Sequence, residues 1–168
     1  FTYNAAAIEP CTATVSGPGG LSQVLTVVYT GNVNAGTAAA SAAFDGDTNY
    51  LPSNNSATFT INLADPTLTV TNSPAAYDGT PKTAAVGNSV PGTVSNIRYN
   101  GSANAPADAG TYAITADFVP DDAANYNTLS GANAGNFVIQ KAGTPVLTVS
   151  NSLLVFTGVA QAAVVVGS

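Results

Sequence analysis

The sequence predicts an all-β protein made of antiparallel β-sandwich domains, and three observations support this fold class. Apolar and polar residues alternate with a period of two in Thr111–Phe118, as in a half-buried strand. Turn-forming clusters such as Asn72-Ser73-Pro74 and Asn100-Gly101-Ser102 separate these runs. The chain also repeats itself, which is typical of domains arranged in series.

Several segments are predicted strands because their apolar residues fall on one face. In chain order they are Thr67–Thr71, Val94–Tyr99, Thr111–Phe118 and Asn136–Gln140. The expected inward residues are Leu68, Val70, Ile97, Tyr99, Tyr112, Ile114, Ala116, Phe118, Phe137 and Ile139. No segment keeps apolar residues at helical spacing over three turns, and glycines interrupt the Ala-rich stretch around Thr37–Ala43. We expect about seven short strands per repeat, which fits a small sandwich.

The repeat divides the chain into three parts. The offset is 79 residues, both from Pro66 to Pro145 and from Asn72 to Asn151. Unit one (1–65) is expected to lack its first strand, unit two (66–144) to be complete, and unit three (145–168) to contain only first strands. In unit one nothing corresponds to residues 66–74. The opening of unit three is either part of a longer array or a donor strand for a neighbouring chain.

An alignment of unit one with unit two shows shared motifs. Tyr-Asn-Gly around Arg98–Gly101 matches Val28–Gly31, and Asn125-Tyr126 matches Asn49-Tyr50. On this alignment Cys11 corresponds to Lys82, which predicts an incidental surface thiol. Intermolecular disulfide pairing is the alternative.

One local motif refines the fold class. Asp108-Ala-Gly-Thr-Tyr112 has the pattern of a tyrosine corner, in which a phenol hydroxyl bonds back to the backbone at a strand entry. This predicts tandem immunoglobulin-like antiparallel β-sandwich domains with structural roles for Asp108 and Tyr112. Unit one has Ala38 in place of the tyrosine, so we expect its corner to be less firmly held.

These motifs resemble the MBG/YDG-type immunoglobulin-like tandem repeats of large, adhesin-like bacterial surface proteins. The resemblance rests mainly on unit two, in 77–82, 98–102, 108–114, 124–126 and 137–142. It implies a repeated β-sandwich module in a secreted or surface-anchored protein, and it implies no particular ligand or catalytic residue.

Composition excludes several functions. The chain has no His, one Cys and three basic residues, so it has no His-based triad and no basic surface for nucleic acid. Its single Glu and lack of Trp are unlike a glycosidase site. No apolar run approaches the roughly 20 residues of a membrane span. A charged fraction of 7% with many Thr, Ser, Asn and Gly favours an extracellular or cell-surface location. We therefore expect no enzyme and no catalytic or cofactor-binding residue.

Acidic residues before the Asn-Tyr turns are the candidate metal ligands. Calcium binds carboxylate and carbonyl oxygens. These ligand candidates are Asp45, Asp47, Asp117, Asp121 and Asp122. The alternative is that the same side chains stabilise turns through their own backbone. The tyrosines Tyr29, Tyr50, Tyr99 and Tyr126 recur by unit, which predicts packing within each sandwich rather than a ligand site.

The predicted function is structural: a stalk, spacer or fibre segment of an extracellular bacterial surface protein. Short linkers with Pro66 and Pro145 are expected to limit bending between units. One alternative is a self-assembling filament subunit joined by strand exchange. Another is an adhesive module that binds a glycan or a protein. The expected partners are neighbouring repeats or copies of the chain, or such a ligand.

Overall fold

The computed structural model describes residues 1–150, 155–162 and 164–167, and these contain strands and no α-helix. The strands are β1 (Ala13–Gly17), β2 (Leu21–Leu25), β3 (Val28–Thr30), β4 (Gly36–Phe44), β5 (Ser53–Ile61), β6 (Leu68–Val70), β7 (Ala75–Ala76), β8 (Val86–Asn88), β9 (Gly92–Tyr99), β10 (Gly110–Pro120), β11 (Leu129–Gln140), β12 (Leu147–Ser150) and β13 (Val164–Gly167). A short 3-10 turn, Pro18–Gly20, joins β1 to β2. The all-β prediction is confirmed.

Unit two contains the main hydrophobic core. Its four-stranded sheet has the order β7-β11-β10-β9, in which β7 runs parallel to β11 and the other pairs are antiparallel. A second sheet consists of β6 and β8. The fully buried side chains of Ile114, Phe118, Phe137 and Ile139 meet Leu68 of β6 between the two sheets.

The period-two patterns of β10 and β11 correctly predicted their faces. In β10, Ile114, Ala116 and Phe118 are buried, whereas Thr111, Ala113 and Val119 are exposed. In β11, Phe137 and Ile139 are buried as expected. Unit two has six strands rather than about seven, since 77–85 lies between β7 and β8 without joining a sheet.

The sheet of unit one has the order β3-β4-β5, and its register matches that of β9-β10-β11. Tyr29 pairs with Ala40 as Tyr99 pairs with Ile114. Likewise, Gly36 pairs with Ile61 as Gly110 pairs with Ile139. Each of these isoleucines lies two residues after a phenylalanine. A parallel bridge between Thr2 and Asn62 repeats the β7–β11 pairing, with Tyr3 N donating to Asn62 O as Tyr77 N donates to Gln140 O.

The two units differ in how much they bury. The buried apolar residues of unit one are Ala38, Ala40 and Ile61, and β5 is exposed along Ser53–Thr58. Its β1 pairs with β2, whereas β8 of unit two pairs with β6. No described strand of unit one corresponds to β6.

The β12–β13 pair opens unit three in the register of β6–β8. Leu147 pairs with Gly167 as Leu68 pairs with Asn88, and Val149 pairs with Val165 as Val70 pairs with Val86. Within predicted unit three, residues 151–154, 163 and 168 lie outside the described residues.

Candidate functional site: the junction between units one and two

The end of unit one binds the loop that precedes β11 of unit two. Ala64 N donates to the carbonyl of Asn125 at 2.9 Å, and Asn127 N donates back to the carbonyl of Ala64 at 2.9 Å. These two bonds form a parallel β-bridge between Ala64 and Tyr126. Pro66, which follows in the linker, is buried. The linker is therefore fixed to unit two by backbone bonds.

Asn125 fills the centre of this junction. It is only 7% exposed, and no other polar or charged residue in the described part of the chain is classed as buried. Its Oδ1 accepts a hydrogen bond from Ala35 N of unit one at 2.8 Å. Its Nδ2 donates to the Asp122 carboxylate at 2.8 Å and lies 3.5 Å from Asn34 Oδ1. Because both polar atoms have partners, the amide is buried without the cost of an unsatisfied group.

Two contacts flank the central amide. Asn127 Nδ2 donates to the Asp65 carboxylate at 2.7 Å. The rings of Tyr3 and Tyr126 meet edge to face, with centroids 5.3 Å apart and an interplanar angle of 89°. Such aromatic pairs contribute about 0.5–1.5 kcal/mol beyond their burial. The junction thus combines backbone, amide and aromatic contacts.

The electrostatics of the junction favour a neutral Tyr3. Desolvation raises the pKa of the Tyr3 phenol, and nearby Tyr126 and the Asp122 carboxylate raise it further. Each effect disfavours a phenolate at this position. Both carboxylates at the junction have donors, since Asp122 accepts from Asn125 and Asp65 accepts from Asn127.

The recurring tyrosines have different roles. Tyr29 and Tyr99 pack within their own units, edge to face on Phe59 and Phe137 respectively, as predicted. The prediction is wrong for Tyr126, which packs on Tyr3 across the junction. The recurrence of Asn-Tyr before β5 and β11 was the sequence signal for this contact, but as a turn motif it did not indicate an interface.

The candidate calcium ligands are dispersed. Among the residues that the structure describes, no three Asp, Glu, Cys or His side chains form a group that could hold a metal. Asp47 accepts from the backbone N–H groups of Asn49 and Tyr50, as expected for a turn-stabilising carboxylate. Asp45 and Asp121 are exposed, and Asp121 N donates to Pro91 O. Calcium binding therefore stays a prediction without a built site.

Asp117 fixes the irregular centre of the large sheet. Its carboxylate accepts from Asn96 Nδ2 at 2.6 Å and from Gly131 N at 2.7 Å. The register of β10 shifts near Asp117 in its pairing with both neighbouring strands, β9 and β11. Asn96 on β9 and Gly131 on β11 have positive φ values of 50° and 58°. These two hydrogen bonds lower the pKa of Asp117. The side chain thus holds a bulge on each neighbouring strand.

The predicted corner residues of unit two are joined directly. Tyr112 Oη donates to the Asp108 carbonyl at 2.9 Å, which is the bond that defines a tyrosine corner. In unit one the corresponding Ala38 is fully buried and has no hydroxyl.

The alignment of Cys11 with Lys82 is wrong by two residues. Cys11 N donates to Tyr29 Oη at 2.7 Å, as Ala84 N donates to Tyr99 Oη at 2.8 Å. Cys11 therefore corresponds to Ala84 and lies partly buried beside the tyrosine, as a free thiol. The insertions and deletions between the units hid this correspondence.

Comparison with known protein families identifies the domain type of unit two. The family model for the MBG domain matches residues 66–143. Unit two is an MBG domain. The MBG domain is a non-enzymatic repeat module of surface proteins. No curated protein and no solved structure matches the chain. None of the described residues forms a helix long and apolar enough to cross a membrane.

Proposed function

We propose that the chain is a non-catalytic stalk or spacer segment of an extracellular bacterial surface protein, in which consecutive MBG-type units are held stiffly in series. The junction around Asn125 carries this proposal. A flexible linker would leave its backbone solvated, whereas this linker is bonded to unit two at Ala64 and Asp65. A spacer whose joints resist bending keeps its distal end away from the cell surface.

The parts of the junction recur in the sequence, which supports an array. The loop of unit one that contains Asn49 and Tyr50 corresponds to the junction loop of unit two, and Asn49 is exposed. Asp108 and Ala109 of unit two correspond to Asn34 and Ala35 of unit one. Each unit therefore has the side chains to form such a junction at both of its ends.

Composition fits the same role. The chain has a net charge of −6 and only 7% charged residues, and it is rich in Thr, Ser, Asn and Ala. Exposed hydroxyl and amide groups are solvated without charge, and the few basic residues offer little ionic adhesion to nucleic acid or anionic lipid. Both properties suit a spacer that avoids nonspecific contacts.

Substitution of Asn125 by Ala tests the proposal. It removes the acceptor of Ala35 N and a donor to Asp122, and leaving a buried group unsatisfied costs about 1–3 kcal/mol. We expect unit two to stay folded while the two units reorient independently. Small-angle scattering would show a broader distribution of maximum dimensions, and ¹⁵N relaxation would show separate tumbling times.

Asn49→Ala is the matched control, because it alters the corresponding but exposed residue. It should leave scattering and relaxation unchanged. If the wild-type chain already shows two independently tumbling units, or if Asn125→Ala is as stiff as the wild type, the junction does not hold the units and the stalk proposal fails.

A further inference from the structure

Oxidation of this chain is restricted to a few side chains, because most of the groups that react readily are absent. The sequence contains no Trp, no Met and no His, and its single cysteine is Cys11. Apart from that thiol, the seven tyrosines are the groups from which an electron is most easily removed. The outcome of oxidation therefore depends on what each tyrosine ring contacts.

One pair of tyrosine rings is in contact across the junction. The rings of Tyr3 and Tyr126 lie edge to face with centroids 5.3 Å apart. Among the residues that the structure describes, which include all seven tyrosines, no other two tyrosine rings meet in this way. The ring contacts of Tyr29 and Tyr99 are with phenylalanine, which has no phenol to oxidise. The junction is thus the place where two phenols can react with each other.

The backbone holds both tyrosines of this pair. Tyr3 N donates to the carbonyl of Asn62 at 2.9 Å, and Tyr126 forms a parallel bridge with Ala64, two residues further along. Tyr126 N also donates to the carbonyl of Asp122 at 3.1 Å. One short segment of unit one therefore fixes both residues. Because the two rings are already side by side, a reaction between them is intramolecular and needs no diffusional encounter.

The charge around the pair favours the loss of an electron from Tyr3. Desolvation, the Tyr126 phenol and the Asp122 carboxylate raise the pKa of the Tyr3 phenol, so the ring is neutral before it reacts. The negative charge that disfavours a phenolate also stabilises the positive charge that develops as an electron leaves the ring. Both tyrosines are only half-buried, so a small oxidant reaches them while the backbone bonds still hold them.

We propose that Tyr3 and Tyr126 form an oxidative cross-linking site that joins unit one to unit two through a dityrosine bond. A one-electron oxidant, such as a peroxidase intermediate or a photo-generated metal complex, takes one electron from each phenol, and each phenol releases its proton to solvent. The two tyrosyl radicals couple through their ortho carbons after rotation about the terminal side-chain torsions. The hydrogen on each of these carbons then moves to the phenol oxygen as aromaticity returns. The net change is the loss of two electrons and two protons, with one new carbon–carbon bond.

The cross-link makes the junction permanent. The site rests on the same junction as the stalk function, and it goes beyond that function by converting a ring contact into a covalent bond that denaturant does not open. The bond also closes the chain between residues 3 and 126 into a loop. Such a loop lowers the entropy of the unfolded chain, as a disulfide does. An oxidising environment therefore strengthens the joint between the two units.

Photo-oxidation of the full chain with ruthenium tris-bipyridyl and persulfate, at high dilution, tests the site. The parent chain carries Cys11→Ser so that the thiol does not compete, and the hydrogen bonds of Cys11 to Tyr29 are kept because they come from its backbone. Oxidation should yield a monomer that has the blue fluorescence of dityrosine and is lighter by two hydrogen atoms. This monomer should run faster on a denaturing gel because of its loop, and peptide mapping should find residues 3 and 126 in one cross-linked pair.

Tyr3→Phe separates the chemistry from the contact. It keeps a ring against Tyr126 and removes one phenol, so the monomer should lose its dityrosine. Tyr77→Phe is the matched control, because Tyr77 corresponds to Tyr3 in the repeat, is 40% exposed and lies outside the junction. It should give the yield of the parent chain. Equal monomer fluorescence in Tyr3→Phe and the parent, or dityrosine found only in dimers, overturns the proposal.

Scattering of the parent chain before oxidation separates this proposal from the stalk function. A chain that is stiff and yet forms no intramolecular dityrosine overturns the cross-linking site and leaves the stalk proposal in place. A chain whose units move independently but still form the bond between Tyr3 and Tyr126 overturns the stalk proposal and supports the cross-linking site.

Discussion

Tyrosine hydroxyls fix loops to strands at the level of single residues. Tyr112 donates to the Asp108 carbonyl, and Tyr99 accepts from Ala84 N in the buried part of unit two. Tyr29 forms the corresponding bonds in unit one, where it both accepts from Cys11 N and donates to Cys11 O. Each hydroxyl therefore provides a hydrogen-bond partner for backbone groups that are not paired within a sheet.

Tyr112→Phe should destabilise unit two modestly. The change removes the hydroxyl that bonds to Asp108 and keeps the ring, so the expected loss is about 0.5–1.5 kcal/mol in the free energy of unfolding. Chemical denaturation followed by tyrosine fluorescence would measure it. Tyr77→Phe, at a ring that is 40% exposed, is the control and should change little. Equal stability of the two variants would show that the corner bond contributes nothing.

The junction shows what residue-level sequence reasoning missed. Asn125 lies in an Asp-Ala-Ala-Asn-Tyr loop, and Asn before a strand is a common turn residue, so the sequence favoured a local role. Its burial depends on Ala35, which lies 90 residues earlier in the chain. Neither periodicity nor spacing within one unit encodes a contact at that separation.

At the level of elements, the period of two was the most informative signal. It predicted the faces of β10 and β11 because a sheet buried on one side requires alternation. It missed β7, whose two residues are too few for a pattern, and the pairing of β1 with β2. Short strands are determined by their neighbours rather than by their own sequence.

At Gly92, the first residue of β9, packing leaves no room for a side chain, which the sequence did not reveal. Val90-Pro91-Gly92 has the composition of a turn. A Cβ on Gly92, however, would lie 2.5 Å from a ring carbon of Phe118 and would also overlap the Val119 carbonyl. Phe118 is fully buried and cannot move aside. The glycine therefore permits the close approach of β9 to β10.

Gly92→Ala should accordingly destabilise unit two. Overpacking of a core costs about 1–3 kcal/mol, and the clash with backbone favours the upper end of that range. Thermal unfolding followed by circular dichroism would measure the loss. Gly143→Ala is the control, because a Cβ there meets nothing within 4 Å. A Gly92→Ala variant as stable as the control would contradict the packing of β9 against Phe118.

At the scale of the whole molecule, the two units differ in the size of their buried cores. Unit two has a closed core with four fully buried large side chains, whereas unit one has one, Ile61. Unit one is bound to unit two through the junction around Asn125. The order of unit one therefore depends in part on its contact with unit two.

This dependence predicts an alkaline transition at the junction. Tyr3 has a pKa raised above the ordinary tyrosine value of about 10, by desolvation and then by Tyr126 and Asp122. The folded junction therefore binds the phenol proton more tightly than the unfolded chain does. The stabilisation is complete below the ordinary value and is lost as pH rises through the folded pKa. Ionised Tyr3 would also repel the Asp122 carboxylate.

Tyr3→Phe removes this titration and keeps the aromatic contact with Tyr126. Scattering from about pH 8 to about pH 11 should show the wild-type chain loosening at the upper end of the range, while the variant should loosen less over the same range. Tyr77→Phe should behave like the wild type, since its ring lies outside the junction. Identical pH profiles for the wild type and Tyr3→Phe would mean that Tyr3 does not couple ionisation to the junction.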